Sequence, residues 1–173
     1  MRETESVQRL QALERARAWE QRFANFAKMA PIAIYFGSQG DHRLSYCNRA
    51  WFEITGHPVV PFEEIDWASI IYEEDLELVR SHWTGVFSTQ EPTSIQFRLR
   101  KRWVNENGVT MGPVWVTTSA LPEHKEDGSV KDIIGTMLDI SALKFAEMVQ
   151  QMKVQEATEA KRQSLNFIDM TSQ

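Results

Sequence analysis

Two turn signals, Glu106-Asn107-Gly108 and Glu126-Asp127-Gly128, divide the C-terminal half of this chain into three strand-like segments. Asn-Gly and Asp-Gly pairs accept the positive backbone angles of a tight hairpin, so the segments they join run antiparallel. Ile95-Gln96-Phe97-Arg98-Leu99-Arg100 alternates strictly, with one apolar face and one charged face. Residues 114–121 read as the next strand. Residues 131–140 close the sheet with Ile133, Ile134, Met137 and Leu138. A meander of this kind needs something packed on its apolar face.

The N-terminal half supplies candidates. Ile32-Ala33-Ile34-Tyr35-Phe36 is short and β-prone and ends at Gly37, with Ser38-Gln39-Gly40-Asp41 as turn chemistry. Residues 43–47 form its partner strand. Asn48 is a good N-cap for a short helix over 49–55, because its side-chain oxygen can accept an exposed first-turn amide. Gly56 stands where a left-handed C-terminal residue is needed. Residues 57–71, broken by Pro58 and Pro61, suggest only single helical turns. A longer helix follows over 73–87. Glu73, Glu74 and Asp75 suit the positive end of its dipole, and Leu76, Val79, Trp83, Val86 and Phe87 form its buried stripe.

Helices flank this unit at both ends. Across residues 4–28, Ala12, Leu13, Ala16, Trp19, Phe23, Phe26 and Ala27 recur at three- and four-residue steps. No helical hairpin follows, so the stripe packs on the domain behind it or on a second chain. Large aromatics are favoured interface anchors, which makes Leu13, Trp19, Phe23 and Phe26 the expected contacts of a homodimer. The last helix starts at Ala142. Ala142, Phe145, Val149 and Met152 keep a heptad spacing before Glu156 and Glu159 spoil the seam.

Composition removes several functions. At 173 residues the chain holds one ordinary domain with extensions, and six Trp and nine Phe fill a real core. A net charge of −5 argues against a general nucleic-acid binder, which needs a basic surface to neutralise phosphates. No apolar run approaches the roughly 20 residues of a membrane span, and the N-terminus lacks the apolar core of a signal peptide. One cysteine, Cys47, excludes an internal disulfide and any multi-cysteine zinc site. The expectation is a soluble cytoplasmic protein without membrane insertion. Metal-ligand spacing, a nucleophile elbow and a phosphate-cradling glycine loop are all missing, so no catalysis is expected.

The element order, strand–strand–helices–strand–strand–strand, resembles a PAS domain, and specific residues agree over roughly residues 29–144. Asn48-x-Ala50-Trp51-x-x-x-Thr55-Gly56 resembles the helix after the second PAS strand. Ile70-Ile71-Tyr72-Glu73-Glu74-Asp75 looks like the start of the long PAS helix, with Tyr72-Glu73 where the family usually shows His-Pro. Gly135-Thr136-Met137-Leu138-Asp139-Ile140-Ser141 resembles the last strand and the Asp-Ile-Thr exit motif. The resemblance implies an α+β fold: a five-stranded antiparallel sheet with helices on one face, flanked by N- and C-terminal amphipathic helices. The expected division is helix 1–28, PAS domain 29–140 and signalling helix 141–173. Phe167-Ile168-Asp169-Met170-Thr171-Ser172 is similar to the lead-in to the histidine box of fungal-type hybrid histidine kinases, with Gln173 where His would stand. A kinase domain downstream in the same polypeptide is the implied partner.

The resemblance also sets the cofactor question. Flavin chemistry of the light-sensing subfamily needs a Gly-x-Asn-Cys-Arg pattern; Cys47 sits instead before Asn48, so a covalent-adduct flavin is disfavoured. Haem-binding relatives offer an imidazole from the long helix, where His82 lies. It is offset from the apolar stripe and reads more readily as a solvated or capping residue. No cofactor is the leading expectation and haem stays open. Trp83, Phe97, Trp103 and Trp115 either line a cavity or fill it, and the two-residue period suggests that Trp83, Trp103 and Trp115 face inward together. Asp139 or Ser141 can cap the exit helix, and Lys144 is placed to pair nearby. Asp139, Ile140, Ser141 and Lys144 are therefore the expected signal relay. Three readings result: a sensory and dimerisation relay, a haem or metabolite receptor, and a constitutive protein–protein adaptor.

Overall fold

The structure is a computed structural model that describes residues 2–39 and 42–172; the turn residues Gly40 and Asp41, and Gln173, lie outside the described residues. The chain runs α1 (Arg2–Met29), β1 (Ala33–Ser38), β2 (Leu44–Cys47), α2 (Arg49–Thr55), α3 (Leu76–Thr89), β3 (Thr93–Val104), β4 (Thr110–His124), β5 (Val130–Asp139) and α4 (Ser141–Thr171). Short 3₁₀ turns occupy 62–64, 67–70 and 73–75. All five strands form one antiparallel sheet in the order β2-β1-β5-β4-β3. This is the expected five-stranded α+β architecture.

The inner face of the sheet carries the core. Tyr35, Phe97, Leu99, Val116, Ala120, Ile133 and Met137 point into it and are covered by Trp51, Val79, Trp83 and Val86 from the helices. Burial alternates along β4 and β5, as period-two packing requires. The outer face is covered at its β1–β2 end, where Ala27 and Ala30 meet Ile34, with Ile32, Phe36 and Tyr46 around them, and at Trp115, where the first turns of α4 cross it. Phe23 stacks there on Phe36 at 6.0 Å.

Asn48 ties that corner together. Its Nδ2 donates to the carbonyls of Ala27 (2.8 Å) and Ile32 (3.0 Å), and its Oδ1 accepts from the amides of Ile34 (2.9 Å) and Trp51 (3.1 Å). The expected cap of α2 is present, and the same side chain also fastens the end of α1 to β1. Gly56 closes α2 in the left-handed region, φ 73°, as its position suggested.

One boundary differs. Gly37 lies inside β1 instead of ending it, paired with Ile133 of β5. It is a glycine because the benzo end of the Trp83 indole occupies the place where an added Cβ would go. Gly135 answers to the ring of Tyr35 in the same way.

Most of α1 and α4 stands away from the domain. Leu13, Trp19 and Phe26 are exposed, and Phe23 is partly covered by Phe36 and Tyr46. Only the C-terminal turns of α1 pack on their own sheet.

Candidate functional site

The inner core holds a stack of three rings. Trp83 lies between Tyr35 (6.3 Å, 15° from parallel) and Trp67 (5.9 Å, 5°). Trp67 is fixed by its indole N–H, which donates to the carbonyl of His42 at 2.9 Å. Tyr35 is fixed at the other end. Thr118 donates its hydroxyl proton to the carbonyl of Thr136 (2.9 Å), so the Tyr35 hydroxyl is the donor in its 2.7 Å contact with Thr118 Oγ1. Around this stack remains a cavity of about 40 Å³, lined also by Trp51, Ile70, Ile71, Val79, Phe97 and His82. That is room for a few water-sized species, against roughly 300–1,000 Å³ for a pocket enclosing a drug-sized ligand. A haem or flavin would have to displace the stack.

Two polar atoms beside the cavity lack partners: His82 Nε2 and Trp83 Nε1 are both sealed from solvent without a hydrogen bond. Burial pushes the His82 imidazole down from its ordinary value, which favours the neutral ring. His82 is therefore half-buried with its Nε2 sealed from water, and not the fully solvated or capping residue that its offset from the apolar stripe suggested. The 67–71 segment, bridged to β3 at Ile71–Leu99, stacks Trp67 on Trp83 and lines the cavity together with His82, so the buried arc of the helix is wider than that stripe.

Of the four expected cavity residues, Trp83 and Phe97 line it, and Trp103 and Trp115 do not. Trp115 alternates with the buried Val114 and Val116 and so faces the outer side of the sheet. Trp103 follows an irregularity in the β3–β4 register between Arg98 and Arg102 and meets Phe145 of α4 at 5.6 Å. Both tryptophans line a second groove, with Met111, Pro113, Lys144, Phe145 and Met148, at the root of α4.

That root is the second site. The Trp115 carbonyl accepts the amide of Ile140 at 2.8 Å, and its own amide donates to Ser141 Oγ at 2.9 Å. Ser141 is 3 % exposed. Asp139 Oδ1 accepts the Ser141 amide at 2.9 Å. Asp139 therefore holds the first amide of α4, while the Ser141 hydroxyl is turned back onto the sheet. Lys144 pairs with Glu147 at 3.5 Å and lies over the Trp115 ring at 5.2 Å.

Arg98, which periodicity presents only as an outward charge, joins the two sites. Its backbone amide and guanidinium donate to both carboxylate oxygens of Asp75 (2.7–2.9 Å), and Nη2 also reaches Glu74 at 3.0 Å. The cation holds the Asp75 carboxyl below the usual carboxylate range. The guanidinium lies over Tyr72 (4.5 Å) and Trp115 (5.7 Å). Asp75 immediately precedes α3, so the helix carrying His82 and Trp83 is linked through Arg98 to the tryptophan that holds α4.

Two buried groups give the core a pH signature. Burial pushes the Cys47 thiol and the Tyr35 phenol each up to about 12, from ordinary values of 9.0 and 10.0. Between those limits the unfolded chain loses protons that the folded chain keeps, so stability falls as pH rises. Thermal melts are expected to strengthen as pH rises to about 6.5, where the unfolded chain holds the His82 proton more readily than the folded one, and to decline from about pH 9 towards 12. Tyr35→Phe is expected to make the decline between pH 10 and 12 shallower, leaving the part that Cys47 contributes.

Among the described residues no cluster of three or more His, Cys, Asp or Glu could hold a metal ion, and no helix is long and apolar enough to cross a membrane. A family model described as the PAS fold matches residues 44–137. An uncharacterized protein, y4lL, of Sinorhizobium fredii (strain NBRC 101917 / NGR234) is 27% identical over 129 residues; the match covers 74% of this chain but only 14% of that protein's length. A sensory box histidine kinase/response regulator from Burkholderia thailandensis E264 superposes with a TM-score of 0.56 at 14% identity, covering 80% of this chain and 98% of that one. The N-terminal domain of a diguanylate cyclase with PAS/PAC sensor from Marinobacter aquaeolei superposes with a TM-score of 0.51 at 19% identity, covering 65% and 98%. At these identities the solved structures share the fold.

Proposed function

We propose a sensory relay for this chain, which belongs to the PAS fold family: a non-catalytic domain that turns a change at the inner face of its sheet into a change in how α4 leaves the domain. The observation that carries this reading is the continuous path Trp83–α3–Asp75–Arg98–Trp115–Ser141. It is made of a charge-assisted pair between Asp75 and Arg98, the Arg98 guanidinium over the Trp115 ring, and the hydrogen bond from the Trp115 amide to buried Ser141. A shift of α3 by part of a turn cannot leave Arg98 in place, and Arg98 cannot move without releasing Trp115. The exit motif Asp139-Ile140-Ser141 and Lys144 then pass the shift to α4. The domain acts as a homodimer through the exposed aromatics of α1, and α4 feeds a histidine kinase module further along the polypeptide. Residues 167–171 continue α4 without a break, which supports a helical connection from the domain to that segment.

The test is mechanical. Ser141→Ala removes the acceptor for the Trp115 amide, a loss of about 1–2 kcal/mol. Hydrogen exchange in residues 142–148 is expected to accelerate, while residues 155–170 keep their rate. Unchanged exchange at 142–148 would break the relay at its last step.

The unpartnered His82 Nε2 and Trp83 Nε1 favour a second reading, a receptor for a small polar molecule that bridges them as the stack loosens. Native mass spectrometry of the protein as isolated separates the two. A reproducible added mass supports the receptor, and bare chains support a relay driven by a protein partner.

A further inference from the structure

The groove at the root of α4 joins apolar walls to a lightly held cation. Ser141, Lys144, Phe145 and Met148 recur at three- and four-residue steps, so α4 presents all four on one face. Opposite them, Trp103, Met111, Pro113 and Trp115 of β3 and β4 form the other wall. Trp103 and Phe145 meet across it at 5.6 Å, inclined by 49°. The space between the walls is about 180 Å³. An apolar hole of about 150 Å³ holds a benzene ring, whereas a pocket for a drug-sized ligand needs roughly 300–1,000 Å³. This groove has room for a single ring and not for a length of chain.

Two polar groups enter it. Among the described residues that line the groove, Lys144 alone is charged. Its Nζ lies 5.2 Å over the Trp115 ring, and its side chain is 28 % exposed. Its acidic partner Glu147 stands 3.5 Å away, is half exposed and does not line the groove. An exposed pair of this kind contributes little, so an incoming carboxylate displaces Glu147 at small cost. The other cation at Trp115, Arg98, is already held by Asp75 and Glu74 at 2.7–3.0 Å. Ser141 is the second group. It lines the groove, is almost fully buried and accepts the Trp115 amide, and its hydroxyl proton has no acceptor within reach among the described residues. Asp139 does not line the groove and is turned to the Ser141 amide at 2.9 Å. Both groups sit in the first turns of a 31-residue helix, whose amino end favours anions.

We infer that this groove binds a small aromatic carboxylate, with its ring between Trp103, Phe145 and Met148 and its carboxylate taken by Lys144 and the Ser141 hydroxyl. Trp115 faces the outer side of the sheet, so the site is separate from the inner cavity. The ligand touches the sheet through Trp115 and α4 through Lys144 and Phe145, and so fixes how α4 leaves the domain. That consequence rests on the relay reading; the site itself does not.

The experiment is a titration of the full chain with phenylacetate, followed through the indole N–H signals of its six tryptophans in heteronuclear NMR spectra. Signals of Trp103 and Trp115 are expected to shift together, while those of Trp51, Trp67 and Trp83 stay in place. The expected Kd is on the order of 1 mM, suited to a ligand of about ten heavy atoms. Shifts at Trp67 and Trp83 instead put the ligand in the inner cavity and overturn the groove, as does the absence of any shift. Benzyl alcohol keeps the ring and lacks the charge, so it is expected to bind on the order of 10-fold more weakly. Equal binding of the two probes to wild type overturns the proposal. Lys144→Met keeps the stem and removes the cation; it should lower phenylacetate to the level of benzyl alcohol and leave benzyl alcohol unchanged. Lys144→Arg should restore phenylacetate to within a few-fold of wild type. Should Lys144→Met unfold, the wild-type comparison of the two probes still decides. Hydrogen exchange at residues 142–148 is expected to slow several-fold with saturating phenylacetate. Binding with unchanged exchange leaves the site standing and overturns its bearing on the relay.

Discussion

Asn48→Ala is expected to destabilise the domain by about 3 kcal/mol, four buried hydrogen bonds at roughly 1 kcal/mol each less partial rescue by water. The carbonyls of Ala27 and Ile32 and the amides of Ile34 and Trp51 all lose their partner, and at 4 % exposure little solvent reaches the site. The midpoint of thermal unfolding should drop by roughly 10 °C. The effect is expected to be divided. Asn48→Asp keeps an acceptor for the two amides, so α2 remains capped, but it cannot donate to the two carbonyls. Its cost should fall on the end of α1, read as faster hydrogen exchange at residues 24–30 than in α2. Equal acceleration in both helices would mean that Asn48 serves only as a cap.

Trp83→Ala should have the largest effect of any single change, about 3–5 kcal/mol. The indole fills the middle of the stack, and neither neighbour can close on the gap. Tyr35 is tethered through Thr118, and Trp67 through the His42 carbonyl. Gly37, left without a side chain to admit the ring, has nothing to offer in its place. A rigid, apolar hole of indole shape is therefore expected, and such holes bind the molecule they lack. Added indole should restore part of the lost stability of Trp83→Ala and have no effect on wild type, measured as a rise in melting temperature with indole concentration. Failure of indole to raise it would show that Tyr35 and Trp67 collapse together.

How much of this was legible depends on the range of the interaction involved. Asn48 and Gly56 were read correctly as caps because a cap is settled within four residues of chain. The bonds from Asn48 Nδ2 to Ala27 and Ile32 were not legible; they join residues far apart in sequence. Along β3, Phe97 and Leu99 point inward as their alternation said, because Arg98 and Arg100 mark the other face unambiguously. Val114-Trp115-Val116 carries no such mark. All three are apolar, so the period does not say which face is buried, and the placement of Trp115 was missed. Trp103 was missed because a register irregularity intervenes, and such a shift leaves no reliable trace in composition.

Gly37 and His82 were misread for a common reason. A glycine after a β-prone run usually ends it, and a histidine off the apolar stripe usually meets water. Here a remote indole occupies the space over the glycine, and the histidine's Nε2 is sealed from water beside a cavity that residues 67–71 help to line. The amino-acid order by itself determined what short-range geometry controls: which segments are strands, which are helices, where hairpins turn and where α2 begins and ends. Only the tertiary structure decided which tryptophans enter the core, that Arg98 links α3 to α4, and that Trp103 and Trp115 form a groove with the root of α4. Those outcomes depend on contacts between distant segments, whose pairing is set by how all the apolar faces can be buried at once.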